Sequence, residues 1–107
     1  MPLDLIHTTD APPPAGHYSQ AVVHGDTVWV AGQLPFDPDD PDAPLGDVDA
    51  QVRRTFANVA AILDAAGSGL GRLIHVTVFV TDPALWTDVN RVYASILGTH
   101  RPARAVI

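Results

Sequence analysis

Arg104 is the residue of this sequence best suited to binding a small anion. It follows Pro102 and Ala103 and precedes a short apolar run that ends at Ile107, a pattern typical of a loop that leads into a buried strand. A guanidinium in such a strand loses water, and an unpaired charge that loses water costs several kcal/mol. Because guanidinium and carboxylate match through two parallel hydrogen bonds, the sequence predicts a small carboxylic acid as the ligand.

The alternative is that Arg104 forms an ion pair within the chain or lies at the surface. The sequence contains twelve acidic residues, all of them aspartates, and these cluster in loops and at helix starts. We therefore expect the anion to come from outside the chain.

The residue types that are missing from the sequence exclude several kinds of chemistry. Without cysteine there is no thiol nucleophile or thiolate metal site, and without lysine there is no Schiff base to an enzyme amine. The five histidines are scattered without metal-ligand spacing, and the aspartates of residues 37–42 lack the spacing of an EF-hand, so no metal is predicted. Catalysis would have to depend on positioning, electrostatics and water.

Length and charge restrict the class of protein and its partners. The 107 residues, 47% of them apolar, predict a single domain over residues 1–107. A net charge of −6 argues against nucleic acid and anionic membranes as partners. The sequence has no run of about 18 apolar residues and no secretory signal pattern, so a cytoplasmic location is expected.

Two helices are predicted from apolar residues that recur at steps of three and four. The first covers residues 47–66, with Asp47 as its N-cap and Gly67 after its end. The second opens at Asp82-Pro83 and stops at Gly98. Asn90 lies at the edge of the second helix's apolar stripe, one turn from Trp86 and from Tyr93, where an amide usually satisfies backbone groups.

The remaining segments predict strands. A short edge strand near residues 3–6 precedes a proline-rich connector, and residues 20–23 and 28–31 form a hairpin around Gly25-Asp26. Residues 73–81 alternate, with Ile74, Val76, Val78 and Val80 on one side. The order β, hairpin, α, β, α, β predicts an α+β fold, a mixed sheet with two helices packed on one face. The other face would be bare, so we predict that a second copy covers it in a homo-oligomer.

Four segments together form a family pattern: residues 16–21 (GHYSQA), 30–35 (VAGQLP), 78–82 (VFVTD) continuing to 89–93 (VNRVY), and 101–104 (RPAR). In these segments, and in register from about residue 3 to 107, the chain resembles the RidA/YjgF family of reactive-intermediate (enamine/imine) deaminases. The resemblance implies a chorismate-mutase-like fold of the bacillar type and a homotrimer with clefts between subunits. It also implies hydrolysis of 2-aminoacrylate and related 2-imino acids to 2-keto acids and ammonia, without a cofactor.

The resemblance also assigns roles to residues. Arg104 matches the catalytic family arginine that holds the substrate carboxylate, in agreement with the argument from its own surroundings. The other expected substrate-binding residues are Tyr18 as an aromatic wall, Ala31 and Gly32 in a lining strand, Asn90 at the cleft edge, and Val106 through its backbone.

Three departures from the family pattern bear on activity. Ala31 replaces a frequent serine, and Val106 replaces a frequent cysteine. Relatives continue beyond the position of Ile107 to a further strand whose glutamate orients the attacking water, and this sequence has no glutamate, so we expect a chain that lacks that strand. The alternative function is a non-catalytic trimer of the same fold that binds small carboxylates or a protein. Chorismate-mutase chemistry is disfavoured, because one arginine suits a dianionic rearrangement poorly.

Overall fold

The computed structural model describes residues 2–107 as five strands, two α-helices and two short 3-10 helices. The strands are β1 (Asp4–Ile6), β2 (Ala21–His24), β3 (Thr27–Val30), β4 (His75–Val78) and β5 (Ala103–Val106). The helices are α1 (Val48–Ala65) and α2 (Trp86–Leu97), and 3-10 turns cover Leu70–Arg72 and Pro83–Leu85. The predicted order of elements is confirmed.

The strands form two sheets, so the prediction of one mixed sheet is wrong. The first sheet is antiparallel in the order β1-β2-β3, and Leu5, Val22 and Trp29 lie opposite one another across it. The second sheet is the parallel pair β4-β5, in which Val76 lies opposite Arg104. A parallel pair needs a crossover connection, and α2 supplies it between β4 and β5. Alternation along a strand does not identify the partner strand, which is why the division into two sheets was not foreseen.

The core lies between the first sheet and α1. Ala21 of β2 and Ile62 of α1 are buried together with Ala11 of the connector, and Val28 and Val30 of β3 pack against them. Helix α1 also packs along α2, where the rings of Phe56 and Tyr93 meet edge to face at 5.5 Å. Ile62 is fully buried.

Both predicted aspartates cap a helical segment: Asp47 caps α1, and Asp82 caps the 3-10 helix Pro83–Leu85. The Asp47 carboxylate accepts a hydrogen bond from the Ala50 amide at 2.9 Å, and Asp82 accepts one from the Ala84 amide at 2.9 Å. The segment after Asp82 differs from the predicted single helix, because its first turn is a 3-10 helix and α2 begins at Trp86. A tight 3-10 turn is common at a helix N-terminus.

Two buried amide side chains hold loops against the core. Gln20 accepts a hydrogen bond from the Thr8 amide at 2.7 Å and donates to the carbonyls of Thr8 at 3.0 Å and Pro12 at 2.9 Å. Asn58 donates to the carbonyls of Leu34 at 3.0 Å and Phe36 at 2.9 Å. These bonds satisfy backbone groups in segments that have no strand partner.

The outer face of the first sheet is apolar and open to solvent in the single chain. Leu5 and Trp29, which face away from α1, are both about two-thirds exposed. Phe79 and Ile74, at the two ends of β4, are also exposed. The strand is shorter than the predicted residues 73–81, because β4 covers only His75–Val78 and Ile74 precedes it. Within residues 2–107, neither helix combines the length and the apolar character that a membrane crossing requires.

Candidate carboxylate site at Arg104

Arg104 is the second residue of β5, and the parallel pairing with β4 fixes its backbone opposite Val76. Main-chain hydrogen bonds on both sides, from Ala103 to Ile74 and from Ile107 to Val78, hold the strand in this register. The half-buried Arg104 side chain extends towards α2. The strand pair thus fixes the position of the Arg104 backbone, and α2 fixes the position of its guanidinium.

Three residues on one face of α2 surround the guanidinium of Arg104. Trp86, Asn90 and Tyr93 recur at steps of four and three, so they share a helix face. The guanidinium carbon lies 4.8 Å from the centroid of the Tyr93 ring and 5.7 Å from that of Trp86, and Nη1 donates to Oδ1 of Asn90 at 2.9 Å. Aromatic faces attract a cation at these distances.

Arg104 forms no ion pair with an aspartate in the described part of the chain. The recorded ion pairs there connect Arg53 and Arg91 to Asp49, Arg54 to Asp37, and Arg91 to Asp88. The alternative interpretation, an internal ion pair, therefore finds no support at this residue. Arg104 is a half-buried cation whose neighbours are two rings and one neutral amide.

Tyr93 is the buried member of this group. The residue is 7% exposed, and its hydroxyl has no hydrogen-bond partner within residues 2–107. Burial raises the pKa of the Tyr93 hydroxyl above its usual value, and the positive charge of Arg104 opposes this rise. Tyr93 therefore stays neutral at physiological pH and offers Arg104 a ring face instead of a charge.

The structure brings together only part of the predicted site. Asn90 contacts Arg104 directly, and Val106 lies two residues further along the same strand, with its backbone in register with Val78. The backbone amide of Ala31 donates to the Gln20 carbonyl at 2.9 Å beside the first sheet.

Tyr18 and Gly32 also belong to the region of the first sheet. The hydroxyl of Tyr18 accepts a hydrogen bond from the Ala15 amide at 3.1 Å, and its side chain is about half exposed. Gly32 is exposed, with open space where a Cβ would be. In the described chain, neither residue hydrogen-bonds to Arg104, so a single chain does not assemble the whole predicted set.

Sequence reasoning assigned Trp86 and Tyr93 to the apolar stripe and missed their contact with Arg104. Trp86 is 45% exposed, which is unusual for a stripe residue and typical of a wall beside a binding surface. The available signal was the pair of aromatic residues one turn on either side of Asn90.

Two hollows of the molecule lie away from Arg104. An open, apolar hollow of about 270 Å³ lies against α1 and is lined by Arg53, Phe56, Ala57, Ala60, Leu70 and Ile96. A second, of about 230 Å³, lies under the loop that contains Pro44 and Leu45.

Among residues 2–107, no three histidine or aspartate side chains converge as a metal site would require.

Comparison with known proteins identifies the family. The model of the family described as Endoribonuclease L-PSP matches residues 8–107. A RutC family protein of Pyrococcus horikoshii is 40% identical over 104 residues, which cover 97% of this chain and 82% of the relative. The 2-iminobutanoate/2-iminopropanoate deaminase of Salmonella typhimurium is 39% identical over 105 residues, which cover 95% of this chain and 81% of the enzyme.

Solved structures agree with this result. The crystal structure of E. coli TdcF with bound serine is 36% identical to this chain, with a TM-score of 0.91 over 97% of this chain and 84% of that one. Yeast Mmf1 is 36% identical, with a TM-score of 0.93 over 99% of this chain and 84% of that one. The chain belongs to the RidA/YjgF family, the family of the Endoribonuclease L-PSP model.

Proposed function

We propose that the protein hydrolyses 2-aminoacrylate and related 2-imino acids to 2-keto acids and ammonia, and that Arg104 binds the substrate carboxylate. The observation that carries this proposal is a half-buried guanidinium that has no carboxylate partner in residues 2–107. The name of the Salmonella typhimurium relative, an imine deaminase, supports the choice of reaction.

Imine hydrolysis needs little assistance from the protein, because an imine is already an electrophile. 2-Aminoacrylate is an enamine and first tautomerises to the imine, as its methylene carbon takes up a proton and its nitrogen loses one. Water then attacks the imine carbon and gives up a proton, while the C=N electron pair moves to nitrogen, which takes up a proton. The resulting carbinolamine loses ammonia as its C–N bond breaks and its hydroxyl proton leaves, which gives the keto acid. Arg104 fixes the carboxylate end, and backbone groups near Gly32 and Val106 orient the imine.

Within residues 1–107, which contain no glutamate, water or an aspartate would transfer the proton. A well-placed general base commonly contributes about 10²- to 10⁴-fold in rate.

The site is proposed to be complete only between subunits of a homotrimer. Two features support this arrangement. Arg104 is only partly buried in the single chain, and the first sheet exposes an apolar outer face that includes Leu5 and Trp29. The acidic net charge of −6 further favours a small imino acid over nucleic acid as the substrate.

The test uses a serine dehydratase to generate 2-aminoacrylate and measures how fast pyruvate and ammonia appear with and without this protein. We expect acceleration by the wild type and its loss in Arg104→Ala. Arg101→Ala is the matched control, because Arg101 is an exposed arginine of the same segment, and this variant should keep full activity. Activity that survives Arg104→Ala would reject the assignment of the site.

The second candidate is a non-catalytic protein that binds small carboxylates. Ala31 in place of a hydroxyl residue favours it. Its signature would be saturable pyruvate binding that depends on Arg104, without any acceleration of imine hydrolysis.

A further inference from the structure

We propose that Trp86, Asn90 and Tyr93 are positioning residues that hold Arg104 as a cation without an anion, and that the neutral amide of Asn90 leaves the guanidinium free for a ligand's carboxylate. This inference rests on the proposed function and adds the contacts that keep the Arg104 cation oriented and its charge available. Trp86 and Tyr93 would act through Arg104 and not on the reacting atoms.

The bond between Asn90 and Arg104 uses only a small part of the guanidinium's capacity. Oδ1 of Asn90 accepts one hydrogen bond from Nη1 at 2.9 Å, and a guanidinium has five N–H donors. An aspartate at position 90 would have almost the same shape as asparagine, but it would neutralise Arg104 through a charge-assisted bond. The amide therefore fixes the direction of the side chain and leaves its charge available.

The two rings supply the rest of the orientation. Tyr93 lies 4.8 Å below the guanidinium carbon, is buried, and is itself held by the edge of Phe56 on α1 at 5.5 Å. Trp86 lies further away, at 5.7 Å, and is nearly half exposed. Tyr93 is thus the rigid support, and Trp86 is the outer wall that a ligand would meet.

The charges around this group do not disturb the arrangement. Asp88 and Arg91, which are also on α2, are paired with each other at 3.9 Å, and Arg91 also reaches Asp49 at 3.6 Å. Val76, opposite Arg104 in β4, is apolar. A ring face offsets only part of the charge of a cation. The guanidinium can therefore still bind a ligand carboxylate, which interacts with it more strongly.

The main experiment compares wild type with Asn90→Asp in pyruvate binding, followed by calorimetry, and in the kinetics of 2-aminoacrylate hydrolysis. Loss of a charge-assisted hydrogen bond corresponds to a roughly 10- to 100-fold change in affinity. We expect pyruvate affinity to fall and KM to rise by that factor, with a smaller change in kcat. A merely structural role for Asn90 would not separate KM from kcat in this way.

A second measurement does not depend on any ligand. If the carboxylate introduced by Asn90→Asp pairs with Arg104, the pKa of that carboxyl falls in the folded state. The variant then gains stability above the ordinary aspartate pKa and loses the gain as the pH falls through the lowered value. We expect a higher thermal midpoint than wild type at pH 7 and no difference near pH 2. Adding Arg104→Ala to the variant should remove the gain.

Substitutions of Trp86 test the role of the aromatic rings beside Arg104. Trp86→Phe keeps an aromatic face and should bind pyruvate within about twofold of wild type, whereas Trp86→Leu should weaken binding about threefold to tenfold, with rescue in the conservative variant.

The proposal is overturned if Asn90→Asp binds pyruvate like wild type and shows no stabilisation at pH 7 that depends on Arg104. If wild type neither binds pyruvate nor speeds imine hydrolysis, the proposed function fails. The ligand-independent measurement then still decides whether Arg104 is held without an anion.

Discussion

The two asparagines of this chain use the same amide group for different purposes. Asn58 is fully buried and holds the main chain of a loop, whereas Asn90 lies beside the half-buried Arg104 and holds its side chain. The sequence indicates neither role directly, since an asparagine within a helix pattern predicts only an edge position. Burial against another segment is a property of the folded chain.

We expect Asn58→Ala to lower the free energy of unfolding by about 2–4 kcal/mol. Two carbonyls, of Leu34 and Phe36, would lose their donors in a partly buried place, at the lower end of about 1–3 kcal/mol each. Urea denaturation measures the loss. Gln51→Ala, which removes an exposed bond to the Gly46 carbonyl, is the control and should cost less than about 0.5 kcal/mol. Equal effects in the two variants would contradict the role given to Asn58.

Tyr93 should make the stability of the fold fall at alkaline pH. Its pKa is raised in the folded state by burial, so the folded chain holds this proton more tightly than the unfolded one. The contribution is complete below the ordinary tyrosine pKa and is lost as the pH rises through the raised value. Unfolding free energies from pH 7 to 11 should decline less steeply in Tyr93→Phe than in wild type. Parallel curves would show that Tyr93 does not titrate in this way.

At the scale of elements, helix caps and strands could be predicted reliably, but the pairing between strands could not. Asp47 and Asp82 were identified as caps because a cap is defined by its neighbours in sequence. The strands β4 and β5 were also anticipated, but their separation from the first sheet was not, because it depends on which edges meet after folding. The candidate site follows the same rule: Arg104 and Asn90 could be named from the sequence, and the contact with Tyr93 could not.

The turn before α1 requires glycine at position 46. Gly46 has φ of +79°, and a Cβ there would lie 2.9 Å from the Ala50 side chain. We expect Gly46→Ala to destabilise the fold by about 1–3 kcal/mol, measured by thermal or urea unfolding. Gly71→Ala is the matched control: Gly71 is exposed and has open space where a Cβ would be, so the change should be within about 0.5 kcal/mol. A larger loss at position 71 than at 46 would contradict this account.

At the scale of the whole molecule, the apolar outer face of the first sheet is the surface proposed to meet neighbouring subunits. Trp29→Asp places a charge in the centre of this face, opposite Val22. We expect the oligomer to dissociate to monomers in light scattering and native mass spectrometry, because a buried unpaired charge is costly. Ala57→Asp adds the same charge on α1, at the other side of the sheet, and should leave the mass unchanged. A Trp29→Asp protein of wild-type mass would show that this face is free.

The Gln20 side chain forms hydrogen bonds with the connector of residues 8–12. These bonds take the place of strand pairing, although the connector is not a strand. Because the Thr8 amide donates to the Gln20 side chain at 2.7 Å, we expect its deuterium uptake to follow the opening of the core around Ala11 and Ala21, and not local loop motion. One side chain thereby makes the proline-rich stretch part of the cooperative folding unit.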